Sequence, residues 1–204
     1  LLEHQDALSK ALRHDYGFRT QFDSTICDLL PSIQHLRHTR RHLRHWMKPE
    51  KRSAGLLLSP SSLQVYYQPL GVIGVIVPWN FPIFLSLGPV VTAIAAGNHV
   101  MVKLSEFTPH TNEVLSRIFS VLEGEIYTIE GGAEIAGFFS RLPFDHLLFT
   151  GSTKVGRLVA QAAAQNLTPV TLELGGKSPV IVADDADISK AVDIVMFGKS
   201  SNAG

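Results

Sequence analysis

Hydrophobic and polar residues follow two different patterns along this chain. From residue 72 onward, short apolar runs alternate with stretches in which apolar residues recur every three or four positions. The short runs are typical of buried strands, and the longer stretches are typical of amphipathic helices. The predicted strands span residues 72–77, 100–103, 127–130, 146–150, 170–174 and 179–182. The predicted helices span residues 83–96, 109–122, 133–140, 155–162 and 187–199, with Asp184 and Asp185 starting the last one.

The order of these elements predicts the fold class. Strands that alternate with helices form a mostly parallel sheet with helices on both faces. We therefore expect an α/β fold in which residues 69–204 form a Rossmann-like sheet flanked by helices. Ligands of such sheets bind beyond the carboxyl ends of the strands, so residues that directly follow a strand are the candidate functional residues.

Two smaller regions precede the predicted sheet. Residues 1–55 are polar and rich in arginine and histidine, with apolar residues on one helical face, which predicts an N-terminal helical segment. Residues 56–68 predict a β-hairpin made of residues 56–58 and 63–68. This ribbon has more apolar side chains than two strands can bury alone, so we expect it to join two copies in a homodimer.

The histidines of the N-terminal segment raise the question of a metal site. Four of them fall near one stripe of a predicted helix: His35, His38, His42 and His45. No carboxylate or cysteine lies between them, so the stripe predicts a solvated or packed helix face and no metal site. Arginines on the same helix suggest nucleic acid as an alternative. We expect no such partner, because aromatic interleaving is missing and the chain balances 18 basic against 18 acidic residues.

The composition excludes several further classes. An apolar content of 45% over 204 residues is enough for a substantial core. Residues 72–102 are apolar, but prolines, glycine and asparagine interrupt them, so no membrane span is predicted. Cys27 is the one cysteine, which rules out an internal disulfide and fits a reducing compartment. Because no signal peptide opens the sequence, we expect a cytoplasmic protein.

The segment around Gly151 predicts a strand, a glycine turn and a helix in succession. Ser152 or Thr153 is placed to cap the helix, whose free N–H groups would favour a phosphate. The spacing from Gly151 to Gly156 matches a P-loop, but Arg157 and the following leucine replace the required Lys-Ser/Thr pair. The dinucleotide fingerprint G-x-G-x-x-G is absent as well. A phosphate site and an ordinary strand-to-helix turn both remain compatible with this spacing.

Four peptides stand where predicted strands end. They are Val77-Pro78-Trp79-Asn80-Phe81-Pro82, Lys103-Leu104-Ser105-Glu106, Phe149-Thr150-Gly151-Ser152-Thr153 and Glu173-Leu174-Gly175-Gly176-Lys177-Ser178-Pro179. In this order and with these gaps, residues 65–204 resemble the aldehyde dehydrogenase superfamily. The resemblance is to its class-3-like branch, and the Arg- and His-rich helix before Trp46 and Met47 is most similar to coniferyl aldehyde dehydrogenases.

The resemblance implies a nicotinamide cofactor, NAD, with NADP as an alternative. The Ser152 turn would face the pyrophosphate, while Lys103 and Glu106 would contact the hydroxyl groups of the adenosine ribose. Leu104 stands where the family usually has proline, which predicts a looser turn. The implied cofactor-binding residues are Val77, Pro78, Trp79, Lys103, Glu106, Gly151, Ser152, Leu174 and Gly175.

The resemblance also implies oxidation of a small-molecule aldehyde to the carboxylic acid, with Asn80 and Glu173 as catalytic residues. Asn80, held between two prolines, would donate a hydrogen bond to the developing oxyanion. Glu173 would be the general base that activates water to hydrolyse a thioester intermediate. In the first of two hypotheses, the chain is the cofactor-binding part of such an enzyme. The alternative is a non-catalytic nucleotide-binding or interaction module.

The nucleophile implied by the resemblance is a cysteine that follows a peptide similar to Asn202-Ala203-Gly204. Cys27 lies far in sequence from every motif and is predicted to be a small buried apolar residue. We therefore expect these 204 residues to be an N-terminal portion of the enzyme that is inactive by itself, with the catalytic domain outside the sequence.

Overall fold

The computed structural model describes residues 1–203 and contains a small antiparallel ribbon and a larger parallel sheet. In chain order the strands are β1 (Glu50–Arg52), β2 (Leu63–Val65), β3 (Val72–Ile76), β4 (His99–Lys103), β5 (Ile126–Ile129), β6 (His146–Gly151) and β7 (Val170–Leu174). The α-helices are α1 (Gln5–Tyr16), α2 (Gln21–Ser24), α3 (Leu30–Trp46), α4 (Phe84–Ala95), α5 (Pro109–Phe119), α6 (Ala133–Phe139), α7 (Thr153–Ala163) and α8 (Ile188–Ser200).

The larger sheet has the strand order β5-β4-β3-β6-β7, and all neighbouring strands in it are parallel. Within this sheet, the chain passes first through the central strand β3, then outward to β5, and then crosses back to β6 on the other side of β3. The direction of winding therefore reverses between β3 and β6. In doubly wound sheets, such a reversal opens a crevice at the carboxyl ends of the two strands, where ligands bind.

Alternating side chains of the strands build one core on each face of the sheet. Ile73 and Val75 pack with α4 and α5, whereas Ile76 packs with α6 and α7 on the opposite face. Gly74 also faces α6, where a Cβ atom would lie 2.7 Å from the ring of Phe144. A glycine at this position therefore allows the Phe144 ring to close against the central strand.

The N-terminal helices share a core with the sheet. Leu8 and Leu12 of α1 are fully buried in the same cluster as Val75 and Val100. Helix α1 contacts α5, and α3 contacts α4. The Asp15 carboxylate, at the end of α1, accepts hydrogen bonds from two N–H groups in the first turn of α5 at 2.8 and 3.0 Å. This carboxylate compensates the free donors and the positive end of α5.

The predicted α/β fold is confirmed, and most predicted elements are present with ends shifted by one to three residues. The predicted strand at residues 179–182 is wrong, because this segment leaves the sheet after β7 and exposes Val180, Ile181 and Val182. The start of α8 also differs from the prediction. Asp187, rather than Asp184 or Asp185, caps the helix by accepting a hydrogen bond from the Lys190 N–H at 3.2 Å.

The ribbon exists, but its first strand was predicted at the wrong residues. Leu56–Leu58 forms a 3-10 turn, and β1 pairs with β2 instead, placing Glu50 opposite Val65. The turn arises because Ser59 and Ser61 donate local hydrogen bonds to the carbonyls of Leu56 and Leu58. Those carbonyls would otherwise be needed for a strand ladder. The division into residues 1–55, 56–68 and 69–204 stays a prediction.

Two further features concern residues 1–203 as a whole. None of the helices in this part of the chain is long and apolar enough to cross a membrane. Within the same residues, histidine, cysteine, aspartate and glutamate side chains form no group of three that could hold a metal ion. His38 and His42 instead place their rings 4.1 Å apart on the exposed side of α3.

Candidate nucleotide-binding and active site

The sequence-predicted site residues meet at the carboxyl edge of the parallel sheet. Ile76 of β3 is paired with Lys103 of β4 and with Phe149 of β6, and Thr150 is paired with Glu173 of β7. In this register, the residue that follows Ile76 and its counterparts at the ends of β4, β6 and β7 form a row across four strands. Adjacent strands lie about 4.8 Å apart, so Glu173 lies about 10 Å from the end of β3. This distance is suitable for a site assembled around one small substrate.

The start of α7 provides an anion-binding feature beside β6. The Ser152 hydroxyl, one of the two caps that the sequence predicted, accepts a hydrogen bond from the Val155 N–H at 3.3 Å. Gly156 is buried, and a Cβ atom there would lie 2.7 Å from the Leu174 side chain on β7. Helix α7 therefore starts close to the sheet, with its first N–H groups and positive dipole end at the strand edge.

Lys103 and Glu106 form a partly buried ion pair at the end of β4. The Lys103 Nζ atom donates a hydrogen bond to Glu106 Oε2 at 2.7 Å, and the lysine is almost fully buried. Partial burial would raise the pKa of the Glu106 carboxyl, but the hydrogen bond from Lys103 outweighs it and holds the pKa below its usual range. Glu106 is therefore a carboxylate at neutral pH, with oxygens able to accept hydrogen bonds from a diol.

Leu104 anchors the turn after β4 instead of loosening it. Its side chain is fully buried, and its N–H group donates a hydrogen bond to the Ile129 carbonyl at 2.9 Å. A proline could not form this bond because it lacks the N–H group. The expectation of a looser turn is therefore wrong, since the Leu104 N–H group completes the last pair between β4 and β5, Lys103 with Ile129.

The turn after β3 carries the candidate oxyanion donor. Val77 is buried, so it can offer a ligand only backbone atoms, whereas Trp79 is about half exposed. Both hydrogen bonds recorded for Asn80 use its backbone carbonyl, which accepts from Arg19 Nη1 at 3.4 Å and from Asn202 Nδ2 at 2.7 Å. The side-chain Oδ1 of Asn80 is buried without a partner among residues 1–203. Since no hydrogen bond within residues 1–203 uses the Asn80 side chain, its Nδ2 group is free to donate to a group from outside them.

Glu173 lies on the face of the sheet opposite α7. Leu172 packs into the core beneath α7, and side chains alternate along a strand, so Glu173 points to the face that carries α4. The turn bearing Asn80 leads into α4 and belongs to this same face. Glu173 is exposed. The structure thus brings the two predicted catalytic residues to one edge and one face of the sheet.

Four residues at this site were not predicted from the sequence as site residues. Tyr16, Arg19 and Asp28 come from the N-terminal segment, and Asn202 comes from the far end of the described chain. Asn202 belongs to the peptide singled out by the family resemblance, which was the available signal for it. The other three lie 56 to 63 residues from the groups that they contact, and no local pattern connects such distant positions.

Cys27 directly precedes Asp28 in the chain, but it does not have the properties of a nucleophile. It lies in the π-helical turn Thr25–Leu29 and is partly buried. Burial raises the pKa of its thiol, with nearby Arg19 opposing the shift only in part. A raised pKa keeps the sulfur protonated at neutral pH, whereas a catalytic cysteine needs the thiolate.

An apolar groove lies away from these residues, near the amino ends of the strands. It is lined by Ile73, Val75, Pro89, Ala93 and Leu148, among others. Its lining contains few polar groups, so it does not offer the donors and acceptors that a phosphate or an aldehyde oxygen needs. The carboxyl edge is the better candidate site.

Comparison with known proteins identifies the class. Residues 1–204 match the family model described as the aldehyde dehydrogenase family, and the chain belongs to this family. A probable coniferyl aldehyde dehydrogenase of Pseudomonas aeruginosa is 49% identical over 208 residues, covering 100% of this chain and 43% of that protein. A coniferyl aldehyde dehydrogenase of a Pseudomonas species is 46% identical, covering 100% of this chain and 42% of that protein. The chain therefore spans less than half the length of these relatives.

Solved structures agree with this assignment. The substrate-bound state of Staphylococcus aureus AldH superposes with a TM-score of 0.88 at 36% identity, covering 99% of this chain and 47% of that one. A Mycobacterium tuberculosis aldehyde dehydrogenase complexed with NAD⁺ gives a TM-score of 0.89 at 31% identity, covering 100% and 42%.

Proposed function

We propose that this chain is the cofactor-binding part of an NAD-dependent aldehyde dehydrogenase that oxidises an aromatic aldehyde, of the coniferyl aldehyde type, to its acid. The observation that carries the proposal is the convergence of Asn80, the Lys103–Glu106 pair, Ser152 and Glu173 on one edge of the sheet. The aromatic substrate rests on the relatives named coniferyl aldehyde dehydrogenase. We place the enzyme in the cytoplasm because the single cysteine among residues 1–204 fits a reducing compartment.

The residues at the edge fit the chemistry of a dinucleotide. The capped start of α7 offers N–H donors and a positive dipole end to a pyrophosphate, with Gly151, Leu174 and Gly175 beside it. Glu106 and Lys103 together offer an acceptor and a donor for ribose hydroxyl groups. When bound, NAD accepts a hydride equivalent from the substrate carbon. The neighbour complexed with NAD⁺ supports this cofactor.

Two side chains of this chain would act on the substrate itself. Asn80 would donate from its side-chain amide to the aldehyde oxygen as negative charge develops on it. Glu173 would take a proton from the water that releases the acid from the enzyme. The nucleophile would be a cysteine outside this sequence, since the Cys27 thiol is partly buried and protonated.

The test of this function is turnover by the full-length protein. We expect NADH to appear when coniferyl aldehyde and NAD are mixed with it, with kcat/KM at least about tenfold above that for a short aliphatic aldehyde. The ratio follows from the larger apolar surface that an aromatic substrate buries. NAD binding without any aldehyde-dependent NADH would instead support the non-catalytic nucleotide-binding module.

The Glu106 carboxylate predicts which nicotinamide cofactor the enzyme uses. A negative charge at the ribose hydroxyls repels the 2′-phosphate of NADP, so kcat/KM should favour NAD. Glu106→Gln should reduce this preference, because the amide keeps the size of the side chain and removes its charge. Glu113→Gln is the matched control, since Glu113 is exposed on α5 and pairs with Arg117. A native preference for NADP would contradict the role of Glu106.

The ribbon predicts a homodimer. Leu56 and Leu57 are 93% and 98% exposed, and Leu63, Tyr66 and Tyr67 add apolar surface nearby. Burying this surface against a second copy would remove it from water. Light scattering of the full-length protein should give at least a dimer, and Leu56→Glu combined with Leu57→Glu should shift it toward monomer. A clean monomer of the unchanged protein at micromolar concentration would rule the ribbon interface out.

A further inference from the structure

The turn that carries Asn80 is fixed from outside by the N-terminal segment. The Tyr16 hydroxyl donates a hydrogen bond to the backbone carbonyl of Trp79, and Arg19 Nη1 donates to that of Asn80 at 3.4 Å. Asp28 Oδ1 accepts a hydrogen bond from the Phe84 N–H at 2.8 Å, at the first residue of α4. Three side chains from one segment thus contact the first two residues and the last residue of the stretch 79–84.

Arg19 and Asp28 are themselves joined and buried. Arg19 Nη2 donates to Asp28 Oδ2 at 2.7 Å, and the exposed fractions of the two side chains are 2% and 0%. The Arg19 guanidinium also lies over the Tyr16 ring, 5.1 Å from its centroid. A planar guanidinium can reach Asp28 and the turn carbonyl at the same time, which a single ammonium group cannot. The three residues therefore form one connected unit.

The state of these groups suits a permanent anchor. Burial raises the pKa of Tyr16 to about 12, so its hydroxyl remains a donor at every working pH. Burial also raises the pKa of Asp28, although Arg19 and the Phe84 N–H oppose the shift. Arg19 Nε, Asn80 Oδ1 and Asn202 Oδ1 are the buried side-chain polar atoms without a partner among residues 1–203. One of these atoms belongs to Asn80, and the other two belong to residues that donate to the Asn80 carbonyl.

We propose that Tyr16, Arg19 and Asp28 are positioning residues that set the orientation of the Asn80 amide during aldehyde oxidation. Buried ion pairs often contribute little net stability, which leaves orientation as the physical reason for this one. A donor must point to where the oxyanion forms, and a small displacement of it raises the barrier. The inference rests on the proposed function, because it needs Asn80 to act as the oxyanion donor.

Tyr16→Phe in the full-length enzyme is the first test, since it removes one hydroxyl and keeps the ring beside Arg19. We expect kcat with aldehyde and NAD to fall about 3- to 10-fold, the effect of losing one neutral hydrogen bond. The dissociation constant for NAD, measured by fluorescence, should stay unchanged. Hydrogen exchange in a peptide covering residues 79–84 should become faster. Tyr127→Phe, at an exposed tyrosine on β5, is the matched control and should leave all three unchanged.

A double-mutant cycle separates positioning from a general effect on the fold. In an Asn80→Ala background, Tyr16→Phe should cause no further loss of kcat, because the donor that it orients is gone. An equal loss in both backgrounds would overturn the inference while leaving the role of Asn80 in place. If Asn80→Ala itself kept full activity, the proposed role of Asn80 would fail, and this inference with it.

Arg19→Lys provides a second variant that preserves the charge opposite Asp28. The lysine can pair with the carboxylate, but its single ammonium group cannot donate to the turn carbonyl at the same time. We expect the same pattern as for Tyr16→Phe: lower kcat, unchanged NAD affinity and faster exchange in residues 79–84. Native kcat together with native exchange rates in both variants would refute the proposal.

Discussion

Replacing Asn80 with alanine in the full-length enzyme is expected to lower kcat about 10²- to 10³-fold, with little change in the affinity for NAD. Loss of one preorganised oxyanion donor has an effect of this size in other enzymes. The fold should tolerate the change, since both hydrogen bonds recorded for Asn80 use its backbone carbonyl. Pre-steady-state NADH formation measures the step directly, because the oxyanion forms before hydride leaves the substrate.

Asn166→Ala is the control for Asn80→Ala. Asn166 is exposed and donates to the Arg141 carbonyl, far in sequence from the site peptides. Its replacement should leave the NADH burst unchanged. Asn80→Asp adds a stricter test, because a carboxylate keeps the shape of the amide but repels a developing oxyanion. Rates for Asn80→Asp near the native rate would show that Asn80 does not bind the oxyanion.

Glu173→Gln is expected to separate the two halves of the reaction. The first turnover should still release a burst of NADH, while the steady-state rate falls about 10²- to 10⁴-fold, the usual contribution of a general base. Glutamine keeps the shape of the side chain but cannot accept the proton from water. Stopped-flow NADH measurements at several enzyme concentrations give the burst size and the later rate.

The control for Glu173→Gln is Glu134→Gln, at an exposed glutamate in the first turn of α6. That variant should show the same burst size and the same steady-state rate as the native enzyme. An unchanged steady-state rate in Glu173→Gln would remove Glu173 from the mechanism. Loss of the burst itself would point instead to a part in the first half of the reaction.

The parallel sheet was predictable because its strands and helices have strong local signals. The apolar run at β3 ends at a proline turn and that at β6 ends at a glycine turn, and the helices between the strands carry amphipathic periodicity. The leucines of Leu56–Leu58 gave the same apolar signal without a partner strand, so they formed a 3-10 turn. Apolar character indicates burial, whereas a strand also needs a neighbour to pair with.

The site was predictable only where motifs follow strands. Lys103 and Ser152 sit in short peptides whose order along the chain was informative. By contrast, Arg19 looks like any arginine in a basic segment, although it is 3% exposed and paired with Asp28. Its role depends on a partner 61 residues away, and single-sequence patterns do not connect such positions. The Leu104 substitution was misjudged for a related reason, since its N–H partner lies on another strand.

The anchoring of residues 79–84 by the N-terminal segment also constrains the order of events during synthesis. Arg19 leaves the ribosome 61 residues before Asn80, and Asp28 leaves 56 residues before Phe84. At roughly 5 to 20 residues per second, these groups wait about 3 to 12 s for their partners. Until then, the charges of Arg19 and Asp28 can pair with each other but cannot be enclosed. The first helices translated therefore reach their final positions only after the central strand and α4 have been made.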